Sequence, residues 1–154
     1  DKILKYFRDE KGEFIITLGG YGNGKRNDPP AVFGAATHKE LVEKYSKFGI
    51  EFGKTRGSII GAAGLLLGMG KLKGLQGICL MGETHGGYVD PKSALATLNM
   101  LSKVLGMKID TANFEKKVME GEKFIKRMEE QAAKAAAGEG GAAPSHAHDL
   151  SYIR

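Results

Sequence analysis

The stretch GICLMGETHGGYVDPK, residues 77–92, limits most strongly what this chain can fold into. Its apolar run Ile78-Cys79-Leu80-Met81 shows no alternation, which predicts a strand covered on both faces, as in a parallel sheet. Asp90 and Pro91 then read as an N-cap and a first helical residue, because no hydrogen bond is asked of a nitrogen at that position. Between strand and helix lies the polar loop 82–88, with the densest set of reactive side chains in the sequence. Ligands and partners of open α/β sheets tend to meet the carboxyl ends of strands. Gly82, Glu83, Thr84 and His85 are therefore the candidate ligand loop.

The remaining segments alternate in type. A helical turn opens the chain, as if already under way, which leads to the expectation of a processed or truncated product. A strand at 13–18 runs into Gly19-Gly20-Tyr21-Gly22-Asn23-Gly24-Lys25, read as a glycine-rich turn, and a second strand follows at 31–35. Thr37 and Glu40 have capping-box spacing and predict a helix with Leu41, Val42, Tyr45 and Phe48 on one face and Gly49 at its end. Short strands are expected at 50–52 and 58–60, then a helix at 65–72. The helix from Pro91 is expected to bury Ala94, Leu98, Leu101 and Leu105 and to stop at Gly106. Asp110 should cap a last helix reaching about residue 137, with a narrow stripe of Phe114, Val118, Gly121, Ile125, Met128 and Ala132. These elements predict a three-layer α/β/α fold with a mainly parallel sheet. The domain reading is an α/β core over 1–110, a long amphipathic helix over 111–137 and a flexible Gly/Ala/Pro-rich tail over 138–154.

Composition excludes several functions. The net charge of +5 comes from lysines scattered among acids, whereas a nucleic-acid groove would want clustered basic residues with aromatics between them. No apolar run approaches membrane-spanning length, and no signal peptide is expected before the first strand. The single cysteine, Cys79, sits mid-strand, so no internal disulfide is available and a reducing, cytoplasmic location is expected. No nucleic acid and no membrane are expected as partners.

The motifs that could carry chemistry are incomplete. Gly20-x-Gly22-x-Gly24 follows a strand, but it has neither dinucleotide nor P-loop spacing, and Asp28-Pro29-Pro30 stands where a helix should begin. Glu83 and His85 lack a third ligand at metal spacing and a nucleophile, so no metal site, cofactor or catalytic residue is assigned. Cys79 reads as packing, and His146 and His148 as solvated tail residues. The end of the chain is different. Leu150, Tyr152 and Ile153 return after the tether, next to Arg154, and predict a docking motif for a partner.

Five segments together resemble the archaeal branch of the proteasome assembly chaperone (PAC2) family. They are LGGYGNGK (18–25), VFGAATHKELVEKYSKFG (32–49), IIGAAGLLLGMGK (59–71), GICLMGETHGGYVDPKSA (77–94) and LSKVLGMKID (101–110). The resemblance implies an α/β/α fold like that of nucleoside phosphorylases and assembly into homo- or hetero-oligomers. It also implies a non-enzymatic chaperone or activator-like adaptor that meets the α subunits of the 20S proteasome through its tail. Family members carry further strands and helices before the equivalent of Glu13, so the sheet is expected to lack members or to gain them from another polypeptide. The family's docking tail is hydrophobic-Tyr-any residue, whereas here Tyr152 is third from last, before Ile153 and Arg154. The alternative is a small-ligand binder, or an enzyme of the ATP-grasp carboxylate–amine ligase label older descriptions attach to the family, using loop 82–88. No motif here supports that chemistry.

Overall fold

A computed structural model of the chain describes residues 2–55 and 57–136. The elements run α1 (Lys2–Asp9), β1 (Phe14–Gly22), β2 (Val32–Ala36), α2 (Lys39–Tyr45), a 3-10 turn (Ser46–Phe48), β3 (Glu51–Phe52), α3 (Ala62–Leu72), β4 (Gln76–Thr84), α4 (Pro91–Leu105) and α5 (Ala112–Ala136). The strands form one sheet in the order β1-β4-β2-β3. β1 is parallel to β4 and β2 to β3, while β2 and β4 run antiparallel. The sheet is thus mainly parallel by pairing, with one antiparallel join in its middle.

β4 is central because its sequence can be. Ile78, Cys79 and Leu80 are completely buried, as a non-alternating apolar run requires. Ile78 and Leu80 face a layer with Leu41, Tyr45, Ile50 and Met100, from α2, the segment before β3, and α4. Cys79 and Met81 face the opposite layer with Phe33 and Leu67, the latter on α3. Helices lie on both sides of the sheet, and the long helix α5 follows.

Three local expectations fail, each for a physical reason. Residues 19–22 are not a turn but the second half of β1, in register with Met81, Gly82, Glu83 and Thr84. Glycine is tolerated there because the partner strand comes close: a Cβ on Gly20 would stand 3.3 Å from Thr84 Cγ2. No strand forms at 58–60, where Ile60 is 92% exposed and the chain runs directly into α3. Thr37 does not cap α2. It is buried, and its hydroxyl oxygen accepts a 3.0 Å hydrogen bond from Gly77 N while Thr37 N donates to Gly77 O, clamping the end of β2 to the start of β4. Gly49 does end the following 3-10 turn in the left-handed conformation, with φ 97°.

Residues up to 121 form one compact unit, and the chain from Glu122 belongs to a second. Within the first, Asp110 accepts a hydrogen bond from Ala112 N at the start of α5, as expected of a cap. Of the stripe expected on α5, Phe114, Val118 and Gly121 are half-buried and Ile125 buried, while Met128 and Ala132 are exposed.

Candidate functional site

The carboxyl end of β4 is built by close approach. Gly82 is buried under α4, and a Cβ there would lie 2.4 Å from both Ser93 Oγ and Thr97 Oγ1. The helix therefore presents Ser93 and Thr97 to the sheet at Gly82, and buries Met100 one turn further on. That corrects the expected face, because Ala94 and Leu105 are exposed and Leu98 only half-buried. Asp90 caps α4 as expected, accepting from Ser93 N at 3.0 Å with Pro91 at the first helical position.

Glu83 is the most constrained polar side chain of the region. Its residue is only 4% exposed. Oε1 accepts from Asn23 Nδ2 at 2.7 Å and Asn27 Nδ2 at 2.8 Å, and Oε2 accepts from Ala31 N at 3.1 Å. Its own N–H donates to Ala31 O at 2.9 Å. Burial pushes the carboxyl up, but the bonds from Ala31, Asn27 and Asn23 and the charge of Lys25 outweigh it and hold the group below its ordinary value. Glu83 is thus an ionised clasp on loop 23–31, and the ion pair of Lys92 with Asp28 fastens the same loop to the first turn of α4.

The other candidate residues separate. Thr84 ends β4, with Oγ1 accepting from Gly86 N at 3.4 Å. His85 is exposed and stacks on Tyr88, centroids 5.1 Å apart and planes within 8°. The structure therefore does not gather Gly82, Glu83, Thr84 and His85 around one cavity. Among the described residues no group of three or more His, Cys, Asp or Glu stands at metal-binding range. Burial pushes the Cys79 thiol above its ordinary value, against a smaller opposing effect of the Thr17 hydroxyl. Leu150, Tyr152, Ile153 and Arg154 lie outside the described residues, as do His146 and His148.

Two concave surfaces lie beside the loop, and one of them takes in Thr84 and Tyr88. One cavity of about 510 Å³ borders α3 and is lined by Leu18, Gly19, Gly20, Ile60, Ala63 and Met81 among others. A second, of about 570 Å³, borders α4 and the start of α5, with Leu18, Gly19, Gly20, Val89, Leu98 and Phe114 in its walls. Both share Leu18, Gly19 and Gly20, so they flank one stretch of β1. Sequence reasoning missed this surface by reading the glycines as a turn. The signal available was Gly82 on the partner strand, which matches Gly20 in register.

A family model described as PAC2 family matches residues 1–131. The chain belongs to the PAC2 family. This PAC2 chain is 40% identical over 156 residues to the uncharacterized protein MJ1210 of Methanocaldococcus jannaschii, covering 99% of itself and 59% of that protein. The crystal structure of Pyrococcus furiosus PbaB, an archaeal proteasome activator, is similar at 38% identity with a TM-score of 0.75, over 83% of this chain and 55% of that one. P. furiosus PbaA, an archaeal homolog of proteasome-assembly chaperone, is similar at 30% identity with a TM-score of 0.73, over 89% and 57%. The chain thus spans between 55% and 59% of the length of these relatives. The α/β fold expected from sequence is the fold of these neighbours. No helix among the described residues is long and apolar enough to cross a membrane.

Proposed function

We propose that this PAC2 chain is a non-enzymatic assembly chaperone or activator-like adaptor of the proteasome, acting in several copies in the cytoplasm. The observation that carries the reading is its similarity, at 38% and 30% identity, to an archaeal proteasome activator and to a homolog of proteasome-assembly chaperone. The use made of loop 82–88 agrees with it. Its one buried carboxylate is spent on Asn23, Asn27 and Ala31, which ties the loop to residues 23–31. In this reading Leu150, Tyr152, Ile153 and Arg154 dock on α subunits of the 20S particle, and the folded body sets their position and number. Pulldown of 20S particles by the chain, with and without residues 138–154, tests it. Capture lost with the tail is the expected result. Undiminished capture by the truncated chain refutes tail docking, and no capture by either refutes the proteasome reading.

A further inference from the structure

Asn23 is followed by Gly24, whereas Asp28 follows Asn27, Met100 follows Asn99 and Phe114 follows Asn113. Asparagine is a chemically labile residue, and a following glycine makes it more so, because no Cβ crowds the attacking nitrogen. The reaction needs only water and hydroxide. The Gly24 nitrogen gives its proton to hydroxide and forms a bond to Asn23 Cγ. The Cγ–Nδ2 bond then breaks, and Nδ2 takes a proton from water and leaves as ammonia. Water opens the cyclic imide at either carbonyl, which leaves an aspartate or its β-linked isomer. Gly24 is exposed, with φ 71° and nothing within 4 Å of where a Cβ would stand, so the attacking side is open.

Asn23 itself is held on three sides. Nδ2 donates to Glu83 Oε1 at 2.7 Å, Oδ1 accepts from Lys25 N at 2.9 Å, and the backbone N–H donates to Thr84 O at 3.1 Å. The ionised Glu83 opposes the reaction by its charge. Both the deprotonated Gly24 nitrogen and the oxyanion that forms on Oδ1 are negative, and both would develop beside that carboxylate. We propose that Asn23-Gly24 is a deamidation site guarded by Glu83, and that its conversion loosens the chain around Lys25 irreversibly. The product sets a carboxylate at position 23 against that of Glu83: two acceptors of like charge replace a donor and an acceptor, beside a residue only 4% exposed. The β-linked isomer also lengthens the main chain by one carbon, directly after the N–H that bonds Thr84 O. Asn27, Asp28 and Ala31 still hold the far part of the loop. The change is covalent and confined to this chain, so it stands or falls apart from the proteasome reading.

The whole chain, kept in mildly alkaline buffer with and without urea, tests this by peptide mapping in the mass spectrometer. In urea, Asn23 should convert ahead of Asn27, Asn99 and Asn113. In the folded chain its conversion should be slower by about tenfold or more, as for a reaction that waits on local opening. Glu83→Gln and Glu83→Ala, checked for folding by circular dichroism, should convert several-fold faster than the unaltered chain. Asn23→Asp, the product made directly, should be cut by trypsin at Lys25 about tenfold faster than the unaltered chain, with Asn23→Ala between them. Equal rates with and without urea overturn the proposal, as does a rate that ignores both folded Glu83 variants. So does an Asn23→Asp chain no easier to cut than the unaltered one. If neither Glu83 variant folds, the urea comparison and the cleavage of Asn23→Asp decide.

Discussion

Removing the Glu83 carboxylate should loosen loop 23–31 and cost the whole domain stability. In Glu83→Ala three donors lose their acceptor: the side-chain amides of Asn23 and Asn27 and the N–H of Ala31. A buried donor left unpaired costs about 1–3 kcal/mol. The two asparagines stand nearer the surface and can turn to water, so a total of about 2–4 kcal/mol is expected rather than the full sum. For a chain of this length that corresponds to a fall in Tm of roughly 5–15 °C. Glu83→Gln keeps the volume but turns one oxygen into a donor facing donors, and should fall between wild type and alanine. pH gives an independent check. A carboxylate held low in the fold contributes fully above its unfolded value of about 4.3, and that contribution is lost as pH falls through its lower folded value. Urea midpoints of wild type and Glu83→Gln should therefore differ at neutral pH and converge in acid. A constant difference down to the acid limb, or no loss in Glu83→Ala, would refute the clasp.

Two further outcomes follow from the packing of β4. Gly82→Ala puts a Cβ 2.4 Å from Ser93 Oγ and Thr97 Oγ1 and should cost about 1–3 kcal/mol by urea titration, part of it relieved by adding Ser93→Ala; an unaltered midpoint would mean α4 is free to lift. Cys79, fully buried and with its thiol pushed up, should react with a thiol reagent only when the domain opens, on the order of 10³-fold slower or more than in denaturant, and comparable rates would show that β4 is not central.

What was legible in the sequence was whatever a side chain states by itself. The buried run Ile78–Met81 predicts β4, the Asp90-Pro91 pair predicts the start of α4, and Gly49 and Gly106 mark helix ends, because local sterics decide these positions. What was not legible depends on a partner far along the chain. Gly19 to Gly22 belong to a strand only because β4 lies alongside, and the strand pattern carries no side-chain signal at glycine. Thr37 matches a capping box, yet its hydroxyl is better used on Gly77, 40 residues away. The buried face of α4 was misjudged for the same reason. Leucines mark an apolar face, but the approach of Gly82 demands small residues, so Ser93 and Thr97 go inward and Ala94 stays out. Glu83 was found, but Asn23 and Asn27, which give it its role, are 60 and 56 residues away.

The proposed docking of the tail carries an energetic argument of its own. A single tail that buries Leu150, Tyr152 and Ile153 gains about 1.5–3 kcal/mol for each. Ordering its last residues costs on the order of 1 kcal/mol apiece, which leaves one tail a weak ligand. Two tails presented together change the arithmetic without adding a contact. Once the first is seated, the second acts at an effective concentration near the millimolar range, and apparent affinity rises by about 10²-fold or more where both can be engaged. A free peptide of residues 138–154 keeps the tail residues and removes every further copy. It should therefore bind 20S particles more weakly than the whole chain by about that factor, through faster dissociation, while deletion of 150–154 from the whole chain abolishes binding. Surface plasmon resonance on immobilised 20S particles, at a density low enough to keep neighbouring particles apart, reads both. If the lone peptide dissociates as slowly as the whole chain, one tail suffices, and the number of copies plays no part in holding the proteasome.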